Sequence, residues 1–245
     1  MQLIIADDYN QFSQIGAEIV AQTIINKPNA TLGLATGSTP IGIYEKLVEK
    51  HKKGEISFKD VVCFNIDEYV GLDKTHPQSY HYFMRKHLFE HVDTHQNNTY
   101  IPNGVAPNLV DECKKYNDVL AQNPRDLQII GLGPNGHVGF NEPFTPFGSK
   151  THVVSLSRAT IEANSRFFNS IELVPTKAIT MGISQLMTAK CLLVISSGKH
   201  KARVVKDMLF GPCHPHMPCS VVQLHPNAIV LLDKDSASLL PQEIK

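Results

Sequence analysis

Short apolar runs alternate with longer amphipathic stretches along the whole chain. Leu3–Ala6, Leu32–Ala35, Val61–Ile66, Leu127–Leu132, Cys191–Ile195 and Ala228–Leu232 are strand-sized and nearly continuous in apolar residues, and Val221–Leu224 is a shorter run of the same kind. Between them, Asn10–Asn26 places Phe12, Ile15, Ile19, Val20 and Ile24 on one helical face. Further helices are predicted over Pro40–Lys50, with its proline near the first turn, and over Ser79–Phe89, with Ser79 as cap. Asn108–Leu120 and Lys199–Leu209 complete the set. Unbroken apolar strands separated by helices predict a parallel sheet covered on both faces. The expected fold is one doubly wound, Rossmann-like α/β domain over residues 1–245, with a mainly parallel sheet and helices on both faces. Ligands of such sheets bind beyond the carboxyl ends of the strands, so the residues just after each run carry the functional question.

Composition narrows the classes. With 245 residues, 42% hydrophobic and 19% charged, the chain is ordinary globular material. A chain of this length buries about 72% of its unfolded surface and needs no disulfide or metal staple. Lys plus Arg is 23 and Asp plus Glu is 23, which argues against a nucleic-acid partner but leaves room for a local basic pocket. No apolar run approaches a membrane span, so no membrane partner is expected, and MQLIIADDYN is too short in its apolar part for a signal peptide. Cys63, Cys113, Cys191, Cys213 and Cys219 are odd in number and mostly within apolar segments. They read as free thiols of a reducing cytoplasm.

Three junctions are chemically unusual. Ala35-Thr36-Gly37-Ser38-Thr39-Pro40 lies between a strand and a helix. Gly37, Ser38 and Thr39 offer flexible backbone, hydroxyls and free N–H groups at a helix start, a setting suited to phosphate. The same residues also make a plain turn with Thr39 as cap and Pro40 at the first helical position. Phe64-Asn65-Ile66-Asp67-Glu68-Tyr69 runs an apolar strand into two carboxylates, one of which, partly desolvated, would serve as a general base. Side chains alternate along a strand, so at most one of Asp67 and Glu68 should face a substrate; the plainer alternative is that one of them caps the next helix and the other meets solvent, with neither in a site. Gly131–Pro143, GLGPNGHVGFNEP, has four glycines in its first nine residues and gathers Asn135, His137 and Glu142. That is the make-up of an oriented acid–base imidazole in a tight loop.

Basic residues are less conspicuous. Arg166 sits beside aromatics in Ser165–Phe168, and Lys201 follows the strand Cys191–Ile195; each also reads as surface charge. Cys213-His214-Pro215-His216-Met217-Pro218-Cys219 has spacings that match none of the usual structural zinc sites, so no metal is expected.

Four segments together resemble one family. FNIDEYVGL (Phe64–Leu72), GLGPNGHVGFNEP (Gly131–Pro143), ANSRFF (Ala163–Phe168) and VVQLHPNAIVLLD (Val221–Asp233) are similar, collinearly, to the glucosamine-6-phosphate deaminases of the glucosamine/galactosamine-6-phosphate isomerase family. The resemblance implies conversion of glucosamine 6-phosphate and water to fructose 6-phosphate and ammonia, in amino-sugar catabolism, without a cofactor. It implies Asp67 as the base that moves a proton from C2 to C1 and His137 as the ring-opening group, assisted by Asn135 and Glu142. Arg166 and Lys201 would join Gly37, Ser38 and Thr39 as phosphate ligands, and the segment around Arg166 would be a lid.

Two departures from the family pattern are visible. Some members carry an aspartate where this chain has Asn135, which orients an imidazole but does not ionise. Allosteric members bind N-acetylglucosamine 6-phosphate through residues whose counterparts here are Thr145, His152, Val154 and Ser155, and through a tyrosine on a longer C-terminus than one ending at Lys245. The expectation is an enzyme without that activator and a monomer rather than an oligomer. The rival readings are a 6-phosphogluconolactonase or pentose-phosphate isomerase of related fold, and a non-catalytic phosphosugar sensor. Ammonia release with turnover separates the first reading from all three.

Overall fold

The computed structural model describes residues 1–244; Lys245, the last residue of the sequence, lies outside them. In chain order the elements are β1 (Gln2–Ala6), α1 (Tyr9–Asn26), β2 (Thr31–Leu34), α2 (Ile41–Lys52), β3 (Val62–Asn65), β4 (Asp67–Tyr69), α3 (Tyr80–His87), β5 (Thr99–Tyr100) and α4 (Leu109–Gln122). They continue with β6 (Leu127–Gly131), β7 (His152–Ser155), α5 (Arg158–Asn164), β8 (Lys177–Thr180), α6 (Ile183–Leu186), β9 (Leu192–Ser196), α7 (Ala202–Phe210) and β10 (Ala228–Asp233). Seven strands form a wholly parallel sheet in the order β1-β10-β9-β6-β2-β3-β5. The expected parallel α/β architecture is therefore present.

Helix starts follow local chemistry. Asp8 caps α1 by accepting from Gln11 N at 2.8 Å, Ser79 caps α3 by accepting from Tyr82 N at 3.1 Å, and Asn108 caps α4. The expected Thr39 cap is absent: α2 begins at Ile41 with Pro40 itself in the cap position and no side-chain cap bond. The expected helix over Lys199–Leu209 opens as a 3₁₀ turn, Lys199–Lys201, before α7.

Two further expectations are corrected. Val221–Leu224 is not a strand but the end of a 3₁₀ segment, Pro218–Leu224. Both edges of β10 are already taken by β9 and β1, and Gln223 Nε2 ties the segment to α7 by donating to Met208 O at 2.7 Å and Gly211 O at 3.0 Å. Its apolar Val221 and Val222 reach the core from a helical turn instead. The run Val61–Ile66 is also not one strand that stops. At Ile66 the chain leaves the parallel sheet and enters a second, antiparallel sheet, β4-β8-β7, that the apolar pattern did not announce. Ile66 bonds to both sheets, donating to Leu34 O at 3.2 Å and accepting from Met181 N at 2.7 Å.

Two apolar clusters result. The larger fills both faces of the parallel sheet. The smaller gathers Tyr69, Phe140, Leu156 and Ala178, with Tyr80, Val154, Ile161 and Phe168 against them, under the small sheet.

Candidate active site

The strand order reverses direction between β2 and β6: from β2 the chain proceeds outward through β3 and β5, then returns to β6 on the other side. Such a switch point opens a crevice at the carboxyl ends. The loops after β2, β3, β6 and β9 all leave the sheet at this end, and they carry the residues singled out in the sequence.

Asp67 opens β4 and pairs in register with Thr180 of β8. It is only 6% exposed. Burial first, and the neighbouring Glu68 second, hold its carboxyl well above the usual carboxylate range. Glu68 turns the other way and is fully buried. Its Oε1 accepts from Tyr69 N at 2.8 Å and Tyr80 N at 2.9 Å, and its Oε2 from His81 N at 3.0 Å and His81 Nδ1 at 2.8 Å. A negative charge that satisfies the first donors of α3 is a helix anchor. Of the two adjacent acids only Asp67 is left for chemistry.

The loop after β6 is built around His137. The imidazole Nδ1 lies 2.7 Å from Asn135 Oδ1, and Asn135 Nδ2 donates to Glu142 Oε2 at 2.8 Å. An amide that donates to a carboxylate presents its oxygen to the ring, so Nδ1 carries the hydrogen and Nε2 is left as the proton-exchanging nitrogen. Burial, opposed by Glu142 and reinforced by Lys201, keeps the imidazole below its ordinary pKa and hence neutral near pH 7. Burial would favour a neutral Glu142, but hydrogen bonds from Thr160 and Asn135, with His137 nearby, hold it ionised below the usual range. Gly133 is required beneath the ring: a Cβ there would stand 2.2 Å from His137 Nε2. Gly139, at φ +59°, passes the loop over Asp67, where a Cβ would lie 3.2 Å from Oδ2 and 2.9 Å from Thr180 Oγ1.

The anion-binding candidates border the same end. Gly37 takes φ +94°, a left-handed conformation, and is followed by exposed Ser38 and half-buried Thr39. Tyr9 and Tyr44 hold the turn from behind, the Tyr44 hydroxyl donating to Ala35 O at 2.6 Å. Lys201 Nζ donates to Leu132 O at 2.5 Å, next to the His137 loop. Burial, with the charge of Arg166 second, lowers its pKa to about 8. Arg166 is itself exposed, at the end of the segment following α5. Asp233 shapes the loop before Lys201, accepting from Ser197 Oγ at 2.6 Å and Gly198 N at 2.9 Å. Among the described residues no three His, Cys, Asp or Glu side chains gather as metal ligands. In the Cys213–Cys219 segment His214 Nδ1 instead accepts from His216 N at 3.1 Å.

Residues 9–231 match the family model described as glucosamine-6-phosphate isomerases/6-phosphogluconolactonase. The chain belongs to this family. A glucosamine-6-phosphate deaminase of Thermoanaerobacter pseudethanolicus is 49% identical over 244 residues, 99% of this chain and 96% of the relative. One of Clostridium novyi is 47% identical over 241 residues, 98% and 100% of the two chains. The solved structure of a monomeric glucosamine-6-phosphate deaminase superposes with a TM-score of 0.95 at 44% identity, covering 98% of this chain and 100% of that one. The 6-phosphogluconolactonase of Trypanosoma brucei, at 20% identity and a TM-score of 0.77, shares the fold.

Within this family frame, several residues around the site escaped the sequence reading. Asn141 is buried and fastens the His137 loop to the small sheet, its Nδ2 donating to Val138 O and Met181 O at 2.8 Å each. The rings of Tyr69 and Tyr80 pack 5.0 Å apart and form a triangle with Phe140, which lies 5.4 Å and 6.1 Å from them. Tyr80 is half-buried, and its hydroxyl lies within reach of Asp67 and Thr36. Ser157 and Thr160 of the α5 start reach Glu142. Only Ser157 left a sequence signal, as a cap residue before a helical stretch. The others depend on contacts far apart in the chain.

Proposed function

We propose that this chain converts glucosamine 6-phosphate and water to fructose 6-phosphate and ammonia, with Asp67, Asn135, His137 and Glu142 as its catalytic set. The observation that carries the assignment of roles is the separation of two acid–base groups at one sheet end. One is a buried carboxyl with a raised proton affinity; the other is a neutral imidazole of fixed tautomer. His137 Nε2 takes the proton of the O1 hydroxyl and returns it to O5, which breaks the C1–O5 bond and gives the open-chain aldose. Asp67 removes the proton from C2, forming an enolamine, and delivers it to C1. The C2 imine that results adds water and expels ammonia. Isomerisation and imine hydrolysis balance without redox change, and this reading needs no cofactor. Residues 1–245 then form one catalytic domain. The test is incubation with glucosamine 6-phosphate, following ammonia and fructose 6-phosphate together. Equal amounts of both are expected; lactone hydrolysis without ammonia would overturn the reading.

Gly37, Ser38, Thr39, Arg166 and Lys201 hold the phosphate in this reading. Each cation contributes about 1.5–3 kcal/mol through charge-assisted hydrogen bonds. Lys201→Ala or Arg166→Ala should therefore raise KM for glucosamine 6-phosphate about ten-fold or more. With unphosphorylated glucosamine, a very poor substrate, the same changes should matter much less; equal losses with both compounds would remove these residues from the phosphate site. In the unsubstituted enzyme KM should also rise above pH about 8, where Lys201 loses its proton.

N-Acetylglucosamine 6-phosphate should not activate this enzyme. Val154, at the position read as a phosphate-gripping lysine in allosteric relatives, packs against the Tyr69 and Phe140 cluster. His152 turns its Nδ1 to Lys150 O at 2.8 Å. Substrate titrations should be hyperbolic with and without millimolar N-acetylglucosamine 6-phosphate; a sigmoidal curve straightened by it would refute this. A monomer in a reducing cytoplasm fits the same reading. It is supported by the monomeric relative and by Cys63, Cys113 and Cys219 being buried as single thiols. No helix among the described residues is long and apolar enough to cross a membrane.

A further inference from the structure

The His137–Asn135–Glu142 relay does not end at its carboxylate. Glu142 Oε2 takes the Asn135 amide, and Oε1 faces the start of α5. There Thr160, 5% exposed, donates its hydroxyl to Oε1, while Ser157 Oγ stands 3.2 Å from Oε1 and 2.9 Å from Thr160 Oγ1. At the other end of α5, Asn164 Nδ2 donates to Tyr69 OH at 2.8 Å, and Arg166 follows two residues later. One short helix thus touches the relay carboxylate, the aromatic cluster beside Asp67 and the arginine read as a phosphate ligand.

We propose that Thr160 is a positioning residue of the relay, acting through Glu142 to set the tautomer of His137. The inference rests on reading His137 as the ring-opening group. A half-buried carboxylate bonded on one oxygen alone is free to rotate, and burial pulls it toward the neutral acid. A protonated Glu142 offers an O–H toward Asn135. The amide then gains by turning its oxygen to Glu142 and its NH₂ to His137. The hydrogen of the neutral ring moves to Nε2, and the nitrogen that must accept the O1 proton is blocked. The Thr160 hydroxyl opposes this by feeding the shorter of two hydrogen bonds into Oε1, the longer coming from Ser157 Oγ at 3.2 Å, and so keeps Glu142 firmly an acceptor on both oxygens. The titratable groups facing the relay are few. His137 lies 3.9 Å from Glu142 Oε2, and Lys201 acts on His137 from the β9 side. On α5 the charged Arg158 and Glu162 pair with each other at the surface, 2.6 Å apart.

A purely structural role for the Thr160 hydroxyl is distinguishable. Ser157 already caps α5 by accepting from Thr160 N at 3.2 Å, a bond that uses the Thr160 backbone only. Thr160→Val keeps shape and cap and removes the donor. Ammonia release from glucosamine 6-phosphate is to be measured across pH for the wild type, Thr160→Val and Thr160→Ser. Loss of one hydrogen bond to a charged group corresponds to about a ten- to hundred-fold fall in kcat, with KM within about two-fold. The acidic limb of the profile should move to higher pH, because Glu142 protonates more readily without the donor, and Thr160→Ser should restore both. An unchanged kcat and acidic limb in Thr160→Val, with or without a lower Tm, overturns the proposal. His137→Asn in the same assay separates the two levels. If it is inactive while Thr160→Val behaves as wild type, the relay stands and the Thr160 role falls. If it is fully active, both fall. Nitrogen-15 NMR of the histidine rings gives a measure that does not depend on the valine variant folding. The neutral His137 ring should be Nδ1–H in the wild type and in Thr160→Ser, and an Nε2–H ring in the wild type overturns the proposal.

Discussion

Asp67→Asn should lower kcat by about 10²–10⁴-fold with little change in KM, and the variant should melt at a higher temperature than the wild type at pH 7. The two effects have one cause. Asn keeps the shape of the side chain but accepts no proton, so transfer between C2 and C1 stops while ring opening by His137 continues. The stability gain follows from the raised proton affinity of Asp67 in the fold, caused by burial and then by Glu68. A carboxyl that binds its proton more tightly folded than unfolded stabilises the fold fully below its unfolded value, about 3.9. That contribution is lost as pH rises toward the folded value, and at neutral pH the ionised group opposes folding. The neutral amide escapes this cost. Melting curves of both proteins at pH 7 and near pH 4 check the sign, since the difference should shrink as the wild-type carboxyl takes up its proton. Isotope exchange at C1 in deuterated water checks the chemistry: it should vanish with the base. Wild-type ammonia release from Asp67→Asn would remove Asp67 from the mechanism.

The adjacent acid should give the opposite outcome. Glu68→Ala is expected to cost about 3–5 kcal/mol of stability, the range found when one partner of a buried charged group is removed. Three backbone N–H groups, of Tyr69, Tyr80 and His81, lose their acceptor together with the His81 ring. Each unpaired buried donor costs about 1–3 kcal/mol, so the estimate allows for water replacing part of the loss. For a chain of this size that is a fall in Tm of roughly 6–20 °C. Ser79 still caps α3 through Tyr82 N, so the helix should loosen at its first turn rather than vanish. Thermal melts measure the loss directly, and substrate kinetics well below the new Tm should show kcat reduced far less than in Asp67→Asn. A Glu68→Ala protein as stable as the wild type, yet unable to exchange the C2 proton, would mean that the roles of the two acids are reversed.

The sequence by itself determined the core of the parallel sheet, because six of its seven strands are nearly continuous in apolar residues and the helices between them keep a 3.6-residue period; the two-residue edge strand β5 left no such run. It also marked Asp67 and the Asn135–Glu142 loop, polar residues that follow apolar runs and lie in segments carrying the family resemblance, whereas Gly37–Thr39 read equally as a plain turn and Arg166 and Lys201 as surface charge until the resemblance was weighed. Strand alternation left open which of Asp67 and Glu68 is available for chemistry; the family resemblance pointed to Asp67, and the tertiary structure supplies the physical reason, since Glu68 is consumed by the first turn of α3. That depends on the bend at Ile66, whose N–H bonds to one sheet and whose carbonyl bonds to the other. Tertiary structure alone decided that Val221–Leu224 is a 3₁₀ segment, since an apolar run codes for burial and not for the backbone that delivers it. The small sheet was illegible because β4, β7 and β8 are three or four residues long, too short for a two-residue alternation to register, and β8 lies more than a hundred residues beyond β4. The partners of Glu142 were hidden for the same reason. Thr160 is 18 residues away, and no local pattern states which of many surface-compatible threonines will fold back against a carboxylate. Local periodicity records what each segment must bury; which side chains meet across segments is settled only when the sheets and α5 pack together.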